Sequence, residues 1–176
     1  ELVQPKNPVT NNKRILITAG PTIEKIDPVR AITNFSSGKM GFALAQEARK
    51  LGAYVKMITG PVNLPDPHGV DITRVETGVE MHSHVMNICN EMKIDLFIAA
   101  AAVADWKAVY LTEKIKKDVN TPSEIKWELN PDIVFDVSTL PQTRRPITVG
   151  FAAETEEIIK ISDKLEEKRK NKKLDM

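Results

Sequence analysis

The residues of this chain best suited to chemistry are gathered in Thr33-Asn34-Phe35-Ser36-Ser37-Gly38-Lys39-Met40-Gly41, a polar, glycine-punctuated loop that runs into a helical pattern. A loop of this kind at a helix start offers unpaired backbone N–H groups and the positive end of the helix dipole to an anion. Ser36, Ser37 and Gly38, with Gly20 at the preceding turn, are the candidate phosphate or substrate loop. Asn34 carries an amide that can donate to a developing oxyanion, which suits acyl transfer. Lys39 can neutralise a phosphate or stand in solvent as an early helix residue. Asp105, after an apolar strand, can accept from a base or ribose, bind a metal, or simply make a turn. Lys114, Lys116 and Lys117 can close on a polyphosphate as a charged flap or form a solvated face.

Several motif classes are excluded. A Walker A loop needs glycine where Thr33 stands and Ser or Thr where Met40 stands. The dinucleotide fingerprint would fall on Ser36, Gly38 and Gly41, so its first glycine is missing. The second strand ends in Thr59-Gly60-Pro61, with no acid for a ribose hydroxyl. These absences disfavour a Rossmann-like NAD(P)-binding oxidoreductase, the rival class, and leave nucleotide binding by a variant loop open. His68, His82 and His84 have no metal-ligand arrangement, because two residues apart on a helix His82 and His84 point to different sides. Neither a Cys/His zinc cluster nor a nucleophile elbow is present. Cys89, the single cysteine, reads as a small buried hydrophobe in a helix.

These residues need a scaffold, and 176 residues with 41% hydrophobic content supply one domain with a sizeable core. A net charge of +1 with 28% charged residues argues against obligate nucleic-acid binding. No apolar run reaches the roughly 20 residues of a membrane span. One cysteine and no secretory signal indicate a reducing, cytoplasmic setting.

Residues 1–13, rich in Pro and Asn, read as a linker or leader, and residues 14–176 as the domain. Strands are expected at 14–19, 54–59, 71–76, 95–99 and 147–151. Helices are expected at 38–51, 79–92, from 130 to about 140, and from about 156 to 169. In the first helix Met40, Ala43, Leu44, Glu47, Ala48 and Leu51 make the apolar face; in the second, Val79, His82, Val85, Met86, Cys89 and Met92. Residues 20–37 read as one long connection and 107–123 as a charged, mobile segment, with a strand or ribbon arm at 125–129. Asn130 or Asp132 can cap the third helix, and Pro131 fits its first turn. Leu174-Asp175-Met176 reads as the onset of another strand. Strands alternating with helices predict an α/β fold, Rossmann-like and doubly wound, with a mainly parallel sheet flanked by helices. In such sheets ligands bind outside the strands' carboxyl ends, where the loops after residues 19, 99, 129 and 151 gather.

Five motifs occur in order: Ile17-Thr18-Ala19-Gly20-Pro21-Thr22 with Asp27-Pro28-Val29-Arg30 and the 33–41 loop; Ala101-Ala102-Val103-Ala104-Asp105-Trp106; Glu113-Lys114-Ile115-Lys116-Lys117; Asn130-Pro131-Asp132-Ile133-Val134; and Gly150-Phe151-Ala152-Ala153-Glu154-Thr155. Together they closely resemble the bacterial phosphopantothenoylcysteine synthetase domain, the second half of a bifunctional coenzyme A biosynthesis protein. The resemblance covers residues 13–176. It implies that CTP, with Mg2+, activates 4′-phosphopantothenate as an acyl-cytidylate, and that the amine of L-cysteine then displaces CMP. It implies a role for Asn34 with the acyl-cytidylate and for Lys114 as a catalytic flap lysine in contact with nucleotide. Ala101, Asp105, Pro131, Asp132, Ile133, Val134 and Phe151 resemble the cytidine nucleotide pocket, and Lys168 and Lys172 match two further nucleotide-contacting lysines. The metal ligands stay unassigned. A homodimer is implied, as is a flavin-dependent decarboxylase half in the parent polypeptide, with no FMN in this chain and no nucleic acid or membrane partner. The family continues past Leu174-Asp175 into further sheet, so the domain's C-terminal part is expected beyond this chain. A non-catalytic relative would be expected to lose Asn34 or Lys114; both are present.

Overall fold

Strand β1 (Arg14–Ala19) is apolar on both sides: Ile15, Ile17 and Ala19 pack into one layer and Leu16 into the other. A strand buried on both faces belongs in the middle of a parallel sheet. The computed structural model, which describes residues 11–117, 124–153 and 158–176, places it there. Neighbours β4 (Tyr54–Thr59) and β6 (Leu96–Ala99) flank β1, and β5 (Asp71–Arg74) and β9 (Ile147–Gly150) complete a parallel sheet in the order β5-β4-β1-β6-β9. Helix α1 (Lys39–Lys50) covers one face through Phe42, Ala45 and Ala48. Helices α2 (Gly78–Glu91) and α3 (Ile133–Ser138) cover the other through Met81, Val85, Cys89, Ile133 and Val137. The fold is therefore the expected doubly wound α/β sheet. Its strand order reverses between β1 and β6, so a crevice opens at their carboxyl ends. A last helix, α4 (Ile158–Asn171), leads to residues that run beside β9, with Asp175 N–H donating to Thr148 O at 3.0 Å and Gly150 N–H to Met176 O at 3.0 Å. These bonds tie residues 175 and 176 to β9, where the onset of a further strand was expected, but 174–176 form no strand.

Local chemistry explains the element ends. Thr77 accepts from Glu80 N–H at 3.1 Å while the Glu80 carboxylate takes Thr77 N–H at 3.3 Å, a complete capping box for α2. Asp132 caps α3 by accepting from Phe135 N–H at 3.0 Å. Of the two caps expected there Asp132 is the one used, and Pro131 stands before the cap rather than in the first turn.

Three expectations are corrected. The connection 20–37 contains a hairpin, β2 (Ile23–Asp27) with β3 (Arg30–Thr33). Its pattern is disguised because Glu24 and Asp27 are buried and paired rather than solvated. Residues 107–123 are not one mobile segment: β7 (Trp106–Ala108) pairs antiparallel with β8 (Trp127–Leu129), and 109–115 is tied to neighbouring strands. Residues 118–123 lie outside the described set, as do 1–10 of the expected linker or leader, Glu154-Thr155, and residues 156–157, where the last helix was expected to begin. The apolar faces of two helices are also rotated from expectation. In α1 the buried set is Gly41, Phe42, Ala45 and Ala48, whereas Met40 is 46% and Leu51 40% exposed. Close approach decides this: a Cβ on Gly41 would stand 2.6 Å from Ala19 Cβ, so the helix lies down along its smallest residues. In α2 Met81 takes the inward position, and His82 Nε2 instead meets Asp136 Oδ2 of α3 at 2.7 Å.

Candidate functional site

The crevice is built by backbone approach. Ala19, Gly20 and Gly60 end β1 and β4 so tightly that a Cβ on Gly60 would fall 1.6 Å from Pro21 O. Gly20 and Gly38 both have φ of +73° and crowd the same Val62 methyl, so the first turn and the start of α1 nest together. Beyond β6 the chain stays in register with β1's extension: Ala102 N–H donates to Gly20 O at 2.8 Å, and Thr22 N–H to Ala102 O at 3.3 Å.

Asn34 reaches into this junction, its Nδ2 donating to Ala102 O at 3.0 Å. One amide hydrogen is thereby used, which fixes the side chain and leaves its second N–H and its carbonyl for a ligand. Thr33 Oγ1 donates to Thr22 O at 2.8 Å and holds the end of β3 on the same turn. Ser36 and Ser37 form the entry to α1. Gly38 N–H lies 3.4 Å from Ser36 Oγ and Lys39 N–H 3.5 Å from Ser37 Oγ, and no side chain caps the helix. Gly20 and Gly38 themselves are buried.

The nucleotide candidates lie along the same edge. Ala101 adjoins the junction, and the pairing of Ala99 with Gly150 puts Phe151, 52% exposed, beside the Ala100–Ala101 backbone. Asp105 is exposed, and its carbonyl accepts Asn130 N–H at 2.8 Å while Asn130 Nδ2 donates to Ala104 O at 2.8 Å. Asn130 thus fastens Pro131, Asp132, Ile133 and Val134 to the loop after β6. Ile133 is buried and Val134 half-buried. Lys172 Nζ stands 3.2 Å from Asp132 Oδ2, bringing the end of α4 to the start of α3, and Lys168 is exposed one turn earlier.

Lys114 stands apart from Asn34. Its neighbour Ile115 is fastened to Asp27 at the far end of the β2–β3 hairpin. The hairpin's two ends, marked by the Ile23–Thr33 and Asp27–Arg30 pairs, are four strand rises or about 13 Å apart. Asn34 and the backbone beside Lys114 are thus held at opposite ends of one hairpin. Sequence reasoning missed the fastening residues Thr22, Asp27 and Asn130. Asp27-Pro28 was a legible turn signal, but nothing local points from it to Ile115.

Among the described residues, no group of three or more His, Cys, Asp or Glu side chains is placed to hold a metal ion. Cys89 is buried, and burial pushes its thiol up to about 11, which makes it inert. Two concavities of about 290 and 380 Å³ share Arg14 and Tyr54 at the strands' amino ends, opposite this edge. None of the described helices is long and apolar enough to cross a membrane.

Residues 10–176 match the family described as "DNA/pantothenate metabolism flavoprotein C-terminal domain". The chain is 55% identical over 148 residues, 83% of its length, to the coenzyme A biosynthesis bifunctional protein CoaBC of Vibrio cholerae, and covers 36% of that protein. It is 48% identical over 172 residues, 96% of its length, to the protein of the same name from Vibrio vulnificus, and covers 42% of it. The chain thus spans about two fifths or less of the length of these curated relatives. Among solved structures, the crystal structure of the C-terminal domain of coenzyme A biosynthesis bifunctional protein CoaBC superimposes with a TM-score of 0.78 at 38% identity, covering 96% of this chain and 76% of that one.

Proposed function

This chain belongs to the family of DNA/pantothenate metabolism flavoprotein C-terminal domains, and on that premise we propose that residues 14–176 form a phosphopantothenate–cysteine ligase domain, with residues 1–13 a linker or leader. In the first half-reaction a carboxylate oxygen of 4′-phosphopantothenate attacks the α-phosphorus of CTP, and the bond to pyrophosphate breaks. In the second, the amine of L-cysteine attacks the acyl carbon, the bond to CMP breaks, and the amine loses its proton. Mg2+, when bound, offsets the triphosphate charge.

The observation that carries this reading is the 3.0 Å hydrogen bond from Asn34 Nδ2 to Ala102 O, which joins the first and second motifs at the strand-order reversal. An amide so fixed has one N–H left to donate to the oxygen that becomes negative when cysteine attacks. The cationic members, Lys114, Lys168 and Lys172, suit a triphosphate. Ala101 gives close backbone access, and Pro131 to Val134 with Phe151 supply an apolar-edged base pocket beside Asp105. The loop of Gly20, Ser36, Ser37 and Gly38 receives the phosphate end of the pantothenate arm. The separation of Asn34 and Lys114 fits an extended acyl nucleotide better than a small acid.

A homodimer is part of this proposal. Strand β2 lies against β7, and on or next to these two ribbons Val29, Phe35, Trp106, Tyr110, Trp127 and Leu129 are exposed, large apolar side chains of the kind an interface covers. The flavin and its decarboxylase belong to the other half of the parent polypeptide, and the setting is cytoplasmic. The test is pyrophosphate release by the full-length parent with CTP, Mg2+ and phosphopantothenate, followed by CMP release on adding cysteine. Lys114→Gln is expected to abolish the first burst. A parent that releases no pyrophosphate with CTP overturns the proposal.

A further inference from the structure

The stretch that carries Lys114 is held at three points. Val109 N–H donates to Lys126 O at 2.9 Å, Leu111 N–H donates to Ile26 O at 2.9 Å, and Ile115 is gripped at both of its backbone polar groups. The grip comes from one ion pair. Asp27 Oδ2 accepts Ile115 N–H at 3.1 Å, Arg30 Nη2 donates to Ile115 O at 2.5 Å, and Arg30 Nε lies 3.3 Å from the same Asp27 oxygen. An acceptor and a donor side by side are what a neighbouring strand presents to one residue of a ladder; here a carboxylate and a guanidinium do it instead. The remaining Asp27 oxygen, Oδ1, takes Val29 N–H at 2.9 Å and closes the Pro28-Val29 turn.

Asp27 is therefore spoken for on every side. Its side chain is wholly buried while that of Arg30 is 45% exposed. Burial pushes its carboxyl up, but the N–H groups of Val29 and Ile115 and the Arg30 charge outweigh this, so it stays below the ordinary carboxylate value. A turn needs only the Val29 bond. The second oxygen is spent on a residue 88 positions away, and that residue directly follows Lys114, whose side chain is exposed. Adjacent Cα atoms are about 3.8 Å apart, so fixing Ile115 fixes the base of the Lys114 side chain.

We propose that Asp27 is a positioning residue for the ligase: through Ile115 N–H, with Arg30 on Ile115 O, it holds Lys114 at the place where the triphosphate of the nucleotide binds. This rests on the reading of Lys114 as the flap lysine. The β2–β3 hairpin then serves two purposes at once, carrying Asn34 at one end and the Lys114 anchor at the other, so nucleotide activation and acyl transfer are held in one rigid frame.

The experiment compares the full-length parent with its Asp27→Asn and Ile115→Pro variants. Asparagine keeps an acceptor for Val29 N–H and removes the charge. Proline removes the N–H on the flap side and leaves the buried carboxylate untouched. Both are expected to lower kcat for CTP-dependent pyrophosphate release about 10- to 100-fold, the range a hydrogen bond to a charged group represents. KM for phosphopantothenate stays unchanged, and backbone hydrogen exchange across residues 111–117 speeds up in Asp27→Asn. A folded variant of either kind with wild-type kcat overturns the proposal, as does unchanged exchange across 111–117 in folded Asp27→Asn. If Asp27→Asn does not fold, Ile115→Pro decides alone. If the wild-type parent is inactive with CTP while exchange across 111–117 still speeds up in Asp27→Asn, the ligase reading is refuted and the clamp is not.

Discussion

Replacing Gly41 by alanine tests how the site's main helix is seated. A Cβ added there would stand 2.6 Å from Ala19 Cβ, 3.3 Å from Ala19 Cα and 3.4 Å from Thr18 O. Carbons pack comfortably at about 3.5–4.0 Å, so roughly 1 Å must be opened. Two of the three obstacles are backbone atoms and the third is a Cβ, so no flexible side chain can swing away and α1 itself has to lift. Such overpacking costs about 1–3 kcal/mol. The gain in helix propensity from Gly to Ala returns up to about 1 kcal/mol. A net destabilisation of about 1–2 kcal/mol lowers the melting temperature by about 2–8 °C in a domain of this size. Function suffers more than stability. Gly38, the N-cap of α1, is three residues away and connects to Asn34 through the Ser36-Ser37 turn, and a misplacement of about 1 Å can cost as much as a hundredfold in rate. Calorimetry on the domain and pyrophosphate release by the parent measure the two effects. Ala43→Gly, at an exposed position of the same helix, is the control: it loses about 1 kcal/mol of propensity and keeps its activity. If Gly41→Ala melts at or above wild type with full activity, the contact between α1 and β1 is not what seats the loop.

The other predictions concern the loop amide and the α2 cap. Asn34→Asp sets an oxygen against Ala102 O in place of a donor, so the tether is lost; pyrophosphate release continues while CMP release slows about 100-fold or more, and an acyl-cytidylate accumulates that mass spectrometry detects. Normal turnover in that variant removes Asn34 from the mechanism. Thr77→Ala breaks the capping box and costs about 1 kcal/mol by urea denaturation; a loss below the error of the midpoint refutes the cap. The Glu80 carboxyl is drawn below its ordinary value of 4.5 chiefly by Glu76 N–H, against partial burial, with help from Thr77 N–H and Lys25. A carboxyl depressed by folding stabilises fully above its unfolded value and loses that contribution as the pH falls through its folded one. The stability gap between wild type and Glu80→Gln is therefore expected to be widest above about pH 4.5 and to close on acidification. A gap that widens at low pH contradicts the assigned hydrogen bonds.

The periodicity of single elements was legible because it rests on neighbours within one turn or one pleat. Strands alternating with helices gave the doubly wound sheet, and Asp132 was one of the two caps read for α3, whereas the Thr77–Glu80 box of α2 went unread. The ordered motifs also placed Asn34, Asp105, Asp132 and Phe151 on loops at one edge of that sheet, because successive parallel strands put their carboxyl ends on the same side. What stayed hidden is long-range. Asn34 meets Ala102 across 68 positions and Asp27 meets Ile115 across 88, and no local pattern says which carboxylate a distant N–H will choose. The faces of α1 and α2 were misread for a related reason: a helix turns toward whichever side packs closest, and the Gly41–Ala19 contact outweighed the count of larger apolar residues. The charged stretch around Lys114 read as mobile on composition, yet residues 109–115 are tied to Lys126, Ile26, Asp27 and Arg30, partners that only the tertiary fold brings within reach. Sequence alone determined the scaffold and the kinds of groups at its edge, since those depend on local geometry and side-chain chemistry. The tertiary structure decided which of those groups are fixed, and by what, because a buried polar group is satisfied by whatever the fold sets beside it.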